Sequence, residues 1–181
     1  MSGTTAPVTD PVTATSERSE RADLLDTLAK HRFFLRFTAR DLTDEQAGRP
    51  EPVSGLCVGG LIKHVTRVEH AWAEFAQGRP EGLSGETQTD PQAHQNSFVM
   101  QPEESLAGLL ERYQQAAART DDLVATLDLD QSHPLPPAPW FEPGARWTTR
   151  RVLLHLIGET AQHAGHADLV REGIDGAKSM G

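Results

Sequence analysis

Residues 147–176 read WTTRRVLLHLIGETAQHAGHADLVREGIDG, and the rest of the chain is best understood from them. At about 100° per residue, Val152, His155, Leu156, Glu159, His163, His166 and Val170 fall within a sector of roughly 100° on one helix. One helical face is therefore both apolar and rich in metal-ligating side chains. Burying imidazoles and a carboxylate is costly unless they are paired, hydrogen-bonded or bound to a metal. Glu159 and His163 stand four residues apart, so their side chains can reach one ion from adjacent turns, and His166 sits one turn beyond. Two plainer readings compete: a histidine on an apolar face is usually hydrogen-bonded within the core, and Glu at i with His at i+4 forms an ordinary helix ion pair. The helix alone does not decide among them.

A second helix, spanning residues 57–77, bears on the question. Leu61, His64, Val68, Ala71 and Phe75 recur at helical spacing, which aims His64 at the core, whereas Lys63, Arg67 and His70 lie towards other faces. A histidine from one helix meeting a ligand pair on another is how metal sites are assembled in the cores of helical bundles.

The remaining chain fits that architecture. Residues 1–15 are small, Thr-rich and interrupted by Pro, and are expected to form a disordered tail, leaving residues 16–181 as one domain. Ser16 is the expected N-cap of a first helix that runs to about Thr38, with Leu24, Leu28, His31 and Leu35 on one face. Residues 40–55 form a connection containing Pro50, Pro52 and Gly55, and residues 78–101 a long Gly/Pro/Ser-rich loop with His94. A third helix is expected after Pro102, with an acidic first turn and an apolar face that includes Leu106, Leu110, Tyr113, Ala117, Val124 and Leu127. Residues 128–146 are too proline-rich for regular structure and carry Trp140 and Phe141, and Thr148 or Thr149 caps the last helix. With no convincing strand alternation, the fold class is all-α, a four-helix bundle with long connecting loops.

Composition excludes several classes. The single cysteine, Cys57, rules out an internal disulfide, a zinc ribbon and a CxxC redox pair, which favours a reducing, cytoplasmic setting; Cys57 itself reads as a buried inert thiol. The net charge of −9 opposes nucleic-acid binding. No run of 18 apolar residues or signal-like N-terminus points to a membrane. Phosphate-binding loops, GxSxG elbows and EF-hand patterns are missing.

GLIKHVTRVEHAW at residues 60–72 and RWTTRRVLLHLIGETAQHAGHADLVREGIDG at residues 146–176 resemble the paired motifs of the DinB-like metal-binding four-helix bundles. In particular they resemble the branch associated with mycothiol-dependent transferases and isomerases, and the resemblance spans residues 21–176. The resemblance implies an up-down-down-up bundle that binds a divalent metal, zinc first and nickel as the alternative. His64 matches the family's second-helix ligand, and Glu159 and His163 match its last-helix pair in the variant with a carboxylate first. His166 is then a group behind the ligands, a proton carrier or a water-mediated partner, and His155 has at most a supporting role.

Two imidazoles and one carboxylate leave zinc with an open coordination position, as in catalytic rather than structural sites. A low-molecular-weight thiol such as mycothiol would be activated there for attack on a small electrophile. Arg150, Arg151 and Arg171 lie near enough to the motif to contact the thiol's polar groups, and Trp72, Trp140 and Trp147 are either pocket or core. Two alternatives stand beside this reading: a non-catalytic divalent-metal-binding stress or sensor protein, and a metal-dependent hydrolase. The sequence leaves the electrophile and the existence of a homodimer open.

Overall fold

The computed structural model describes residues 11–83 and 91–180, with side chains from residue 20 to 83 and from 94 to 180. Six helices carry the described fold: α1 (Pro11–Thr38), α2 (Asp44–Gly48), α3 (Val58–Ala76), α4 (Pro91–Asn96), α5 (Leu106–Thr126) and α6 (Thr149–Asp175). A 3-10 turn at Pro80–Leu83 follows α3.

Hydrogen bonds at the helix ends fix the topology. Arg150 at the start of α6 pairs with Glu20 on α1, and Arg171 near its end donates to Thr38 O at 2.8 Å, so α1 and α6 run in the same direction. Arg21 of α1 donates to Leu127 O at 2.8 Å, just beyond the end of α5, so α5 runs the opposite way. Lys63 near the start of α3 reaches Glu104 just ahead of α5 at 2.9 Å, which makes α3 and α5 parallel. The bundle is therefore up-down-down-up, with α3 packed against both α5 and α6. That neighbourhood allows a histidine on α3 to meet ligands on α6.

The apolar core lies in two clusters. One joins the end of α1, the starts of α3 and α5 and the end of α6 through Leu35, Leu61, Val65, Leu109, Tyr113 and Ala167. The other fills the opposite end with Leu28, Trp72, Phe75, Val124, Val152 and Leu156. Between them lies a polar layer. Arg32 of α1, 2% exposed, contacts the fully buried carboxylate of Glu69 on α3, and its other nitrogen bonds Asp121 on α5 at 2.8 Å. Burial opposes the charge on Arg32, but the Glu69 and Asp121 carboxylates overcome it and raise its pKa.

Several expected boundaries move. Of the expected tail, residues 1–10 lie outside the described residues, and α1 starts at Pro11 rather than after Ser16. The third long helix starts at Leu106 on the Ser105 N-cap, not after Pro102, because Glu104 turns back to bond Gln101 N and Lys63 instead of sitting in the first turn. Residues 132–134 and 146–148 pair as a two-stranded antiparallel sheet, β1 (Ser132–Pro134) and β2 (Arg146–Thr148), where only irregular chain was expected. Strands of three residues are too short to show alternation, and Pro134 stands at the end of its strand, where a missing N–H is tolerated. The hairpin leads directly into the Thr148 N-cap of α6, as the sequence suggests.

Candidate metal centre

His64, Glu159 and His163 converge where α3 crosses α6, and one ligand atom from each lies within 4.8 Å of the others. The two histidines are 8% and 9% exposed, and their rings meet edge to face at 4.8 Å. His163 Nε2 stands 3.4 Å from Glu159 Oε2. The edge of a tetrahedron around zinc with bonds of about 2.1 Å is roughly 3.4 Å, so this pair already has coordination spacing and His64 needs only a small inward movement. Burial, reinforced by His163, drives the His64 pKa down to about 3 despite Glu159, leaving a neutral imidazole, the form that binds metals. Glu159 stays ionised, because the His163 contact lowers its pKa against the effect of burial. The three residues therefore fit a divalent cation in donor type and spacing, and His64 and Glu159 fit it in charge state as well.

Each of the remaining histidines on this face has a distinct place. His155 Nε2 lies 3.7 Å from Glu159 Oε1, and its ring packs edge-on against Trp72 and Trp147. It meets the Glu159 carboxylate at Oε1, whereas His163 meets it at Oε2. His166 lies beyond His163, ring to ring at 5.6 Å. The Nδ1 atoms of both His163 and His166 are buried with no hydrogen-bond partner among the described residues. His31, half-buried on α1, takes no part in this cluster.

The triad opens into a cleft of about 1280 Å³, which exceeds the roughly 300–1,000 Å³ common for a single small-ligand site. One wall, from α3 and the hairpin, is aromatic: Trp72 and Trp147 stack at 4.7 Å, Phe141 meets Trp147 edge-on, and Trp140 is 59% exposed. The side towards α5 is polar, with Arg67, Arg112, Gln115 and Arg119.

The three arginines expected near a cofactor lie outside this wall. Arg150 pairs with Glu20 and Asp130, and the Arg151 guanidinium lies 4.9 Å over the Trp147 ring. Arg171 is buried, bonding Asp175 and the carbonyls of Thr38 and Arg40. Its work is to hold the end of α6 to the end of α1.

The segment before α5 escaped the sequence reading. Ser97, 3% exposed, places Oγ 3.1 Å from His64 Nδ1, and Phe98 stacks on the His64 ring at 3.9 Å. The segment gets this close because α3 opens with two glycines: a Cβ on Gly60 would stand 1.7 Å from Phe98 O, and one on Gly59 would stand 2.5 Å from Met100 Sδ. Cys57, buried at the N-cap, accepts from Gly60 N at 3.3 Å. The glycine pair in CVGG was the available signal, since mid-core helices seldom carry glycine without a close approach.

A Gly60→Ala variant tests this packing by sign. On an open helix face the change stabilises by up to about 1 kcal/mol, and Gly158, with nothing within 4 Å of its would-be Cβ, should behave so. At Gly60 the clash should reverse the sign, costing about 1–3 kcal/mol in a thermal or denaturant melt. Equal effects at both positions would mean that the segment does not dock as described.

A family model described as mycothiol-S-transferase matches residues 23–176. Among solved structures, the chain is similar to a conserved protein from Enterococcus faecalis, with a TM-score of 0.62 and 16% identity over 85% of this chain and 96% of that one, a likeness of fold. A comparison with curated proteins gives no match. With a bundle of the right topology, a His/Glu/His cluster where its two motifs meet and a family match over nearly the whole bundle, the chain belongs to the mycothiol-S-transferase family of DinB-like four-helix bundles.

Proposed function

We propose that the protein holds one divalent cation, zinc in the first instance, through His64, Glu159 and His163, and joins mycothiol through its sulfur to a small electrophile. The observation that carries this reading is the placement of three ligands, two of them neutral or ionised as a metal requires, at the floor of a cleft large enough for two ligands. A divalent cation held there by three protein groups would supply a Lewis acid with an open position, lowering the proton affinity of a thiol.

The thiol proton passes to water, the sulfur forms a bond to the electrophilic carbon, and the leaving group departs with the bonding pair. Where the substrate is instead a conjugated double bond that isomerises, the sulfur adds to one carbon and is later expelled, so that the thiol is regenerated. His166 reaches the site only by way of His163, and its part in moving the proton is indirect. Contacts to the thiol's polar groups fall to Arg67, Arg112 and Gln115, which line the cleft, in place of Arg150, Arg151 and Arg171, which do not.

The test is turnover of an electrophile panel by protein loaded with zinc or nickel, with and without mycothiol, together with the visible spectrum of the cobalt-substituted protein. Thiol consumption that needs both metal and protein, and a cobalt spectrum shifted by mycothiol, are the expected results. Turnover of a hydrolysable substrate without thiol would replace the reading with a hydrolase, and a cobalt spectrum indifferent to thiol would replace it with a metal-binding protein that does not catalyse. No helix among the described residues is long and apolar enough to cross a membrane.

A further inference from the structure

We infer that Ser97 is a positioning residue that fixes His64 in the tautomer able to bind the metal, and that it does so through a hydrogen-bond chain ending on the backbone of its own segment. The inference rests on the proposed metal site for its purpose, but its geometry stands without it.

A serine hydroxyl has one proton to give and two lone pairs to receive with. The Ser97 Oγ proton is committed to His94 O, at 2.6 Å. That carbonyl also accepts Ser97 N at 3.1 Å, which locks the turn that presents the hydroxyl. Ser97 Oγ can therefore only accept from His64, whose Nδ1 lies 3.1 Å away and must carry the hydrogen. In a neutral ring with its hydrogen on Nδ1, Nε2 is the nitrogen with a lone pair to offer a metal. The chain of donors runs in one direction, from His64 Nδ1–H to Ser97 Oγ–H to the His94 carbonyl.

The surroundings fix the ring as well as its proton. Phe98 stacks on the His64 face at an interplanar angle of 19°, and His163 meets the ring edge to face. Phe98 is itself held by the close fit of its carbonyl over Gly60, and the next residue is held by Lys63 Nζ, which bonds Val99 O at 3.2 Å. Partners that orient a ligating histidine through its second nitrogen typically contribute 10–100-fold to metal affinity. Among the described residues His163 has no such partner for its Nδ1, so this support is concentrated on His64.

The experiment uses full-length protein and two readouts. In metal-free protein, nitrogen-15 chemical shifts of the His64 ring report which nitrogen is protonated; Nδ1–H is expected in the wild type, and a mixture in Ser97→Ala. Zinc affinity, from competition with a chromophoric chelator, should fall about 10–100-fold in Ser97→Ala and recover in Ser97→Thr, which restores the hydroxyl. Circular dichroism and a melt establish that each variant is folded, and a Thr variant that fails to recover affinity while folded counts against the idea. An Nε2–H tautomer in the wild type, or unchanged zinc affinity in folded Ser97→Ala, would overturn it. Loss of the metal-site reading would look different: no zinc binding by the wild type, with the Nδ1–H tautomer still present.

Discussion

His163→Ala should emerge from purification and zinc reconstitution essentially metal-free, whereas the wild type should carry one metal per chain. Of the three proposed ligands His163 touches both of the others: its Nε2 sits 3.4 Å from Glu159 Oε2 and its ring packs on His64. Removing it leaves one imidazole and one carboxylate, a set that seldom retains a catalytic ion. The affinity loss should exceed about 100-fold, above the upper end of what a supporting residue contributes. His155→Ala and His166→Ala are the controls, because neither side chain belongs to the converging set. Each should keep the metal, with His155→Ala weakened through the loss of its 3.7 Å contact with Glu159. Elemental analysis and chelator competition read all three. Full metal content in His163→Ala, or loss in His166→Ala alone, would move the site along α6 and undo the ligand assignment.

The convergence of His64, Glu159 and His163 was legible because the information that places them is local. Helical spacing put Glu159 and His163 on one face, and the apolar stripe around His64 aimed it inward; the topology of the bundle then had only to bring two faces together. Residues whose roles depend on distant contacts were not legible. Ser97 sits in a Gly/Pro/Ser-rich stretch with no periodicity, and only the docking of that stretch onto the glycine pair at the start of α3 gives it a partner. Arg171 shows the opposite error. Its nearness to the motif suggested a ligand contact, but the end of α1 lies alongside and its carbonyls claim the guanidinium. The hairpin escaped because three paired residues on each side are too few for a pattern, and α5 starts late because Glu104, read as a first-turn acid, is drawn to Lys63. Glu69 lies inside the second-helix motif, and nothing local marks it as the partner of Arg32 on another helix.

That pair carries the largest expected effect on stability. Arg32→Met should destabilise the fold by about 3–5 kcal/mol, the usual result of removing one member of a buried ion pair. For a chain of this size this corresponds to a drop in Tm of roughly 6–20 °C. Glu69 would be left in a fully buried position between the two apolar clusters with no countercharge. The loss should also depend on pH. Without Arg32, burial holds the folded-state pKa of Glu69 well above its unfolded value, so the folded protein keeps a proton that the unfolded chain releases. Stability linked to this group is then complete at acid pH, below the unfolded pKa, and is lost as pH rises through the folded one. The gap between Arg32→Met and wild type should accordingly be smaller at pH 5 than at pH 8. Replacing both partners, as in Arg32→Met with Glu69→Met, removes the unpaired charge and should recover most of the loss, since apolar side chains of similar volume often replace a buried pair at no cost. Urea melts of the three proteins at two pH values check all of this. A loss below about 1 kcal/mol, or one that is flat with pH, would mean that Asp121 or solvent already bears the charge of this layer. The polar belt would then contribute little to holding α1 against α3, the helix that carries His64.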